Sequence, residues 1–302
     1  MNIHVENVNT DSNSGPNSFA SKLMKYMYKN DNTFYSSKDP DVILSFIESR
    51  REIPSNCPLI QRLDGIYFNT TQDYKQMNAN IKKTYEKANG VVFQSQFNKE
   101  LVFKYFGPHE NYKIIHNGAD VDLIDKTEPF EKSKYQKIWT CASSWRPHKR
   151  LNDNINYFIE HSDENDGLII AGSVDSKDQV KHERIHYFGN LNQRELIKLY
   201  KSSDYFLHLA WLDHCPNVVV DARASGCRII CSSTGGTKEI AGKDAIVIQE
   251  EEWDFSPLNL YDPPEMDFSK KIDNPFDSNY NMGEVAKKYE DFFISTKRKL
   301  DS

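Results

Sequence analysis

Leu212-Asp213-His214-Cys215-Pro216-Asn217-Val218-Val219-Val220-Asp221-Ala222-Arg223-Ala224-Ser225-Gly226 is the stretch on which the reading of this chain turns. It runs on through Arg228-Ile229-Ile230-Cys231 to Ser233-Thr234-Gly235-Gly236-Thr237-Lys238-Glu239. Two carboxylates eight positions apart, Asp213 and Asp221, bracket the start of an expected helix. An apolar β run follows, and the Gly-Gly turn then opens a further helix. A helix start offers unpaired backbone N–H groups and the positive end of a dipole, which suits a diphosphate. Carboxylates just before and within that helix can accept hydrogen bonds from sugar hydroxyls on either side of the phosphates. The arrangement reads as a nucleotide-sugar site.

Outward from this stretch the chain alternates short apolar runs with amphipathic ones. Toward the N-terminus, strands are expected at Ile3 to Val5, Asp41 to Phe46, Pro58 to Gln61, Gly90 to Gln94 and Tyr112 to Ile115, with helices at about 17–28, 72–88 and 96–106. Glu128 to Lys134 is charged and aperiodic and reads as a linker. The pattern then restarts, with strands at Ile138 to Cys141, Gly167 to Ala171, Ile185 to Phe188, Tyr205 to His208 and Ala245 to Ile248. Helices are expected from Lys149 to Glu160 and from Asn192 to Lys201, the latter with Glu195 at capping-box spacing. Strands separated by helical patterns imply parallel βαβ units with helices on both faces. Glu250 to Asn281, rich in Pro, Asp and aromatics, reads as a segment without regular elements that crosses a surface before a last helix at about 282–297. The expected organisation is therefore two α/β domains facing a cleft, 1–130 and 131–281, with 282–302 as a helix returning to the first.

The bulk composition is that of a globular protein, with 27% charged residues and 302 residues to build two cores. A net charge of −6 argues against nucleic acid as the main partner. Five cysteines without CxxC spacing or a His pair make zinc an unfavourable reading, and buried reduced thiols in a cytosolic setting the natural one. Met1 to Glu6 enters a strand directly, with no basic or apolar leader pattern. No segment reaches the ~18–20 apolar residues that span a bilayer; weak peripheral contact at the cytosolic membrane face stays open.

The residues resemble the retaining GT-B glycosyltransferases of family 4. The resemblance rests on Asp213 and Asp221, the Ala224-Ser225-Gly226 step, the strand at Arg228 to Cys231 and Gly235-Gly236-Thr237-Lys238-Glu239. Two further segments fall in the family's order: His116-Asn117-Gly118-Ala119-Asp120, and Ser143-Ser144-Trp145-Arg146-Pro147-His148-Lys149-Arg150. The resemblance implies a GT-B fold of two Rossmann-like, doubly wound domains and hexose transfer from a nucleoside-diphosphate sugar to an acceptor hydroxyl of a glycan or glycolipid. It implies that Asp221 binds ribose hydroxyls, that Asp213 binds the transferred sugar, and that Lys149 and Arg146 hold the departing diphosphate. Asn217, Val218, His214, Gly235 and Gly236 complete the expected donor site, and Gly15 in Asn13-Ser14-Gly15-Pro16 is a candidate for close backbone approach.

Departures from the family pattern are specific. Both acidic residues are aspartates where the family has glutamates, and Arg146 and Lys149 stand three apart rather than about five. Arg62-Leu63-Asp64-Gly65 occupies the place of the family's N-domain His, leaving Asp64 as its substitute on the catalytic face. Arg150 is expected to be solvated, and His116 and His208 to be structural. Asp120 and Asp122 imitate a metal motif within a turn, but no metal and no cofactor are expected; the nucleotide sugar is a substrate. Two rival readings remain: a nucleotide-sugar epimerase on the same fold, and a catalytically weak sugar-nucleotide-binding protein.

Overall fold

The structure, a computed structural model, describes residues 1–12, 14–33, 39–131 and 134–301. In chain order its elements begin with β1 (Ile3–Glu6), α1 (Gly15–Lys29), β2 (Val42–Phe46), β3 (Leu59–Leu63), α2 (Tyr74–Lys87), β4 (Gly90–Phe93), α3 (Gln96–Phe106) and β5 (Tyr112–Ile114). There follow α4 (Val121–Asp125), β6 (Ile138–Ala142), α5 (Leu151–His161), β7 (Gly167–Ala171), β8 (Ile185–Gly189), α6 (Gln193–Lys201) and β9 (Tyr205–His208). The last are α7 (Asn217–Ala224), β10 (Arg228–Ser232), α8 (Thr237–Ala241), β11 (Ile246–Ile248), β12 (Lys271–Ile272) and α9 (Met282–Asp301). The chain divides into two compact units, one of residues 1–118, 254–258 and 279–302, the other of 119–253 and 259–278.

The first unit holds a parallel sheet in the order β1-β2-β3-β4-β5. Every residue of β2, β3 and β4 is buried, which is why β2 and β4 read as largely apolar runs and not as alternation; β3 buries Gln61 and Arg62 along with its apolar residues. Helices cover both faces. Successive strand residues point to opposite sides; Gln61 donates from Nε2 to the Ile81 carbonyl of α2, and the neighbouring Arg62 lies over the Phe19 ring of α1. The last helix shares the α1 side. Met282, Val285, Ala286, Tyr289, Phe292 and Phe293 are its buried stripe, packed in one core with Phe19, Leu23, Met27, Leu44 and Val92. Gly118 allows this approach, since a Cβ there would stand 2.9 Å from the Met282 Cα. Pro16 sits in the first turn of α1, where a missing N–H costs nothing; Asn13, just before it, lies outside the described residues.

The second unit has the order β12-β11-β10-β9-β6-β7-β8, parallel except for β12, which pairs antiparallel with β11. Its strand order reverses at β6, with β7 and β8 on one side and β9, β10 and β11 on the other. The chain ends of β6 and β9 therefore form the switch point at which open α/β sheets collect ligands. Alternate strand residues feed two cores: Phe206, Ile229 and Cys231 face α6, α7 and α8, while Trp139, Cys141, Leu207 and Ile230 face α5. All five cysteines are buried and free.

Two local readings are corrected. The helix expected from Lys149 begins at Leu151, because Pro147–Lys149 forms a separate 3-10 turn and Arg150 then adopts φ 52°, which no α-helix continues through. The 250–281 segment does contain a regular element: Val247↔Ile272 and Ile248↔Lys271 pair at the sheet edge. A two-residue strand carries too little alternation to be read from pattern alone. The stretch 128–134 includes Lys132 and Ser133, which lie outside the described residues; before it, Ile124 and Thr127 are buried, and the Phe130 N–H bonds Ser202 Oγ at 2.8 Å. Among the described residues no helix is long and apolar enough to cross a membrane.

Candidate functional site

The loops leaving β6, β9 and β10 meet at the switch-point edge of the second unit. The β6 loop brings Lys149 to Asp213 on the β9 loop, with Nζ 2.5 Å from Oδ2. His208, the last residue of β9, places Nε2 2.8 Å from the same oxygen. The other oxygen, Oδ1, accepts the His214 backbone N–H at 2.9 Å. The Asp213 carbonyl in turn accepts the Gly236 N–H at 2.7 Å, and so ties the β10 turn to the β9 loop. Gly235 is required there: its φ is +80°, and a Cβ would lie 2.5 Å from the Asp213 carbonyl oxygen. Leu212 just before has φ 56°, a strained backbone for a branched side chain. The Trp211 N–H completes the clasp with a 2.7 Å bond to the His148 carbonyl.

Charge within this cluster is set by its surroundings. Burial raises the Asp213 carboxyl, but the Lys149 ammonium and the His208 hydrogen bond outweigh it and hold the group well below the usual carboxylate range. Burial lowers His208 in spite of Asp213's pull, and lowers His148 and His214 to about 4. All three imidazoles are thus neutral near pH 7. An ionised carboxylate only accepts hydrogen bonds, so His208 carries its proton on Nε2.

A second polar layer supports the first. Arg150, expected in solvent, is only 3% exposed. Its Nη2 reaches Glu250 Oε1 at 2.6 Å and the Pro264 carbonyl at 2.7 Å, and its Nη1 reaches the Leu209 carbonyl at 3.3 Å. Glu250 Oε2 accepts from the hydroxyls of Thr234, at 2.9 Å, and Ser232. One buried ion pair therefore braces the ends of β6, β9, β10 and β11 under the cluster. Sequence reading missed it because a guanidinium in a basic run looks solvated; only the fold brings Glu250, a hundred positions on, beside it.

The structure gathers Lys149, Asp213, His214, Gly235 and Gly236 in one place. Asn217 is the first residue of α7, after Pro216 at the cap, and Val218 follows half-buried. Asp221 is not part of the Lys149–Asp213 cluster. It lies one turn along α7, 9% exposed, and its charge, second to burial, helps to raise the Tyr200 hydroxyl well above its ordinary range. Arg146 caps the 3-10 turn and is exposed. Gly15 and Asp64 belong to the first unit, where Gly15 opens α1 and Asp64 is ion-paired to Arg62. Arg62 is fully buried and also reaches Asn117 Oδ1 at 2.7 Å and the Tyr289 hydroxyl at 3.1 Å. Asp120 caps α4 through the Leu123 N–H at 3.2 Å, and no group of three or more potential metal ligands occurs among the described residues. His208, assigned a structural role from sequence, proves to be a direct partner of Asp213. Its position at a strand end, five residues before that acid, was the one available signal.

Comparison with known proteins adds an independent line. Residues 125–255 match the family model of glycosyl transferases group 1, a segment that holds the whole cluster. An uncharacterized glycosyltransferase of Methanocaldococcus jannaschii, MJ1607, is 24% identical over 201 residues, covering 60% of this chain and 51% of that protein. The chain thus aligns with about half the length of that curated relative. Among solved structures, AviGT4, a glycosyltransferase involved in avilamycin A biosynthesis, superposes with a TM-score of 0.64 at 11% identity, over 99% of this chain and 98% of its own. HepE from Anabaena, solved in complex with UDP-glucose, gives a TM-score of 0.60 at 12% identity, over 100% and 98%. At such identities the structures establish the fold, which is that of the GT-B glycosyltransferases.

Proposed function

We propose that this chain, which carries a glycosyl transferases group 1 domain and hence the fold of a transferase enzyme, moves a hexose from a nucleoside-diphosphate sugar to an acceptor hydroxyl with retention of configuration. The observation that carries the reading is the Lys149–Asp213 pair at the strand-switch edge, beside the first turn of α7 and the Gly235-Gly236 turn. An ammonium has three donors. Asp213 takes one, and the other two suit diphosphate oxygens, where a fixed positive charge stabilises the departing group. Asp213 is assigned to the transferred sugar and Asp221 to the ribose, with Asn217, Val218 and His214 along the donor. Arg146, exposed on the same loop as Lys149, has the length to add a second cation.

In the proposed step the glycosidic C–O bond to phosphate breaks as the acceptor oxygen bonds the anomeric carbon from the same face. The acceptor proton passes to the leaving phosphate oxygen, so no side-chain nucleophile is needed. Asp64 is assigned to the catalytic face and Gly15 to close backbone approach to the donor phosphate or the acceptor, and the acceptor is a hydroxyl of a glycan or glycolipid. HepE's UDP-glucose complex supports a nucleotide-sugar donor by analogy of fold.

A thermal-shift panel of UDP-glucose, ADP-glucose and GDP-mannose tests the reading, since a ligand that binds only the folded state raises Tm. Expected is stabilisation by one of them, lost in Asp221→Ala; no stabilisation by any, or an undiminished shift in that variant, would sink the donor-site assignment.

A further inference from the structure

His208 lies outside every motif by which the donor site was recognised, yet among the described residues it is one of two side chains hydrogen-bonded to Asp213. It is 4% exposed, fixed at the end of β9 and stacked on Phe206 with ring centroids 6.2 Å apart. A carboxylate offers roughly four acceptor positions. At Asp213 three are taken, by Lys149 and His208 on Oδ2 and the His214 N–H on Oδ1. Of these donors only Lys149 is on a flexible side chain at the diphosphate position. The backbone N–H and the imidazole are held by the fold.

We propose that His208 is a positioning residue for the transfer reaction: its Nε2–H holds the Asp213 carboxylate in one rotamer when Lys149 turns toward the diphosphate. This rests on the donor-site reading above. Were Lys149 the only side-chain donor, the charge it supplies to phosphate would be withdrawn from Asp213, leaving a partly buried carboxylate to rotate toward water. With His208 in place Lys149 can be shared, while Asp213 keeps an acceptor position for a sugar hydroxyl. The role is neutral hydrogen bonding and involves no proton transfer, which accords with an imidazole that burial keeps uncharged.

The test compares wild type with His208→Phe, which keeps a ring and removes the donor, and His208→Gln, whose Nε2 restores a donor at similar reach. The readouts are UDP affinity by calorimetry and the rate at which UDP-glucose, ADP-glucose or GDP-mannose is hydrolysed to free sugar. Loss of one hydrogen bond to a charged group predicts a roughly tenfold to hundredfold fall in kcat for His208→Phe. UDP affinity should change less than threefold, because UDP lacks the sugar that Asp213 would hold, and His208→Gln should recover most of the rate. Equal losses of UDP affinity and rate, or no recovery with Gln, would overturn the positioning role. A ligand-free measurement separates the two ideas: ¹⁵N shifts of His208 at pH 7 should show the neutral, Nε2-protonated tautomer. A different tautomer overturns the proposal even if nucleotide sugars bind. Failure of wild type to bind or hydrolyse any of the three overturns the donor-site reading, and the positioning role with it, even with the expected tautomer.

Discussion

At Asp213 a single side chain gathers a lysine, a histidine and a backbone N–H, and the main chain beside it is held by a glycine that cannot be replaced. Gly235→Ala would meet the Asp213 carbonyl at 2.5 Å in a backbone conformation costing about 1–3 kcal/mol for any other residue. The expected outcome is a loss of at least that stability in urea denaturation, together with weakened UDP binding. Lys149→Met removes the cation that holds Asp213 ionised, so the Asp213 carboxyl should move upward, and affinity for UDP should fall more than tenfold; NMR titration and calorimetry check the two effects. Asp213 and the Gly235-Gly236 turn, which the structure brings together, stood out in the sequence because they flank strand-to-helix junctions. His208 and Arg150 were not. Their roles depend on partners that only folding supplies, and a residue's own neighbours in sequence carry no trace of them.

Among elements, the short turn between β6 and α5 departs most from expectation. Arg150 pairs a left-handed backbone, φ 52°, with a buried guanidinium. Replacing it with glycine would relieve about 1 kcal/mol of backbone cost but leave Glu250 buried without its cation, a loss of about 3–5 kcal/mol. Arg150→Gly is therefore expected to be destabilised on balance by a few kcal/mol, as read from the denaturant midpoint; a variant as stable as wild type would show the ion pair to be dispensable. Most helices and strands were readable within a few residues, because a buried parallel strand is mostly apolar and α6 announces itself with the Asn192–Glu195 capping box. Boundaries failed where a backbone torsion, and not side-chain periodicity, ended an element.

For the molecule as a whole, acid should act early. His148 and His214 have folded-state values lowered to about 4 from an ordinary 6.5. Between these limits the unfolded chain binds protons that the folded one does not, so stability rises with pH across that window and falls on acidification through it. The depressed Asp213 adds its loss only at lower pH, below the ordinary carboxylate value of 3.8. Urea midpoints measured from pH 7 to 4 should drop from about 6.5 downward, ahead of carboxylate titration, and the double variant His148→Gln/His214→Gln should flatten that slope. A slope unaltered by the double variant would place the acid sensitivity elsewhere.

The backbone passes from one unit to the other four times, after residues 118, 253, 258 and 278. A clone that stops at 253 would deprive β11 of its antiparallel neighbour β12 and expose a bare sheet edge, while one that stops at 118 would omit the α9 stripe that closes the first core. Neither half can be excised by a single cut. Recombination between homologues that trades donor preference would have to exchange interleaved segments, so such chimeras should fold only when the tail travels with the N-terminal sheet and residues 259–278 travel with the C-terminal one.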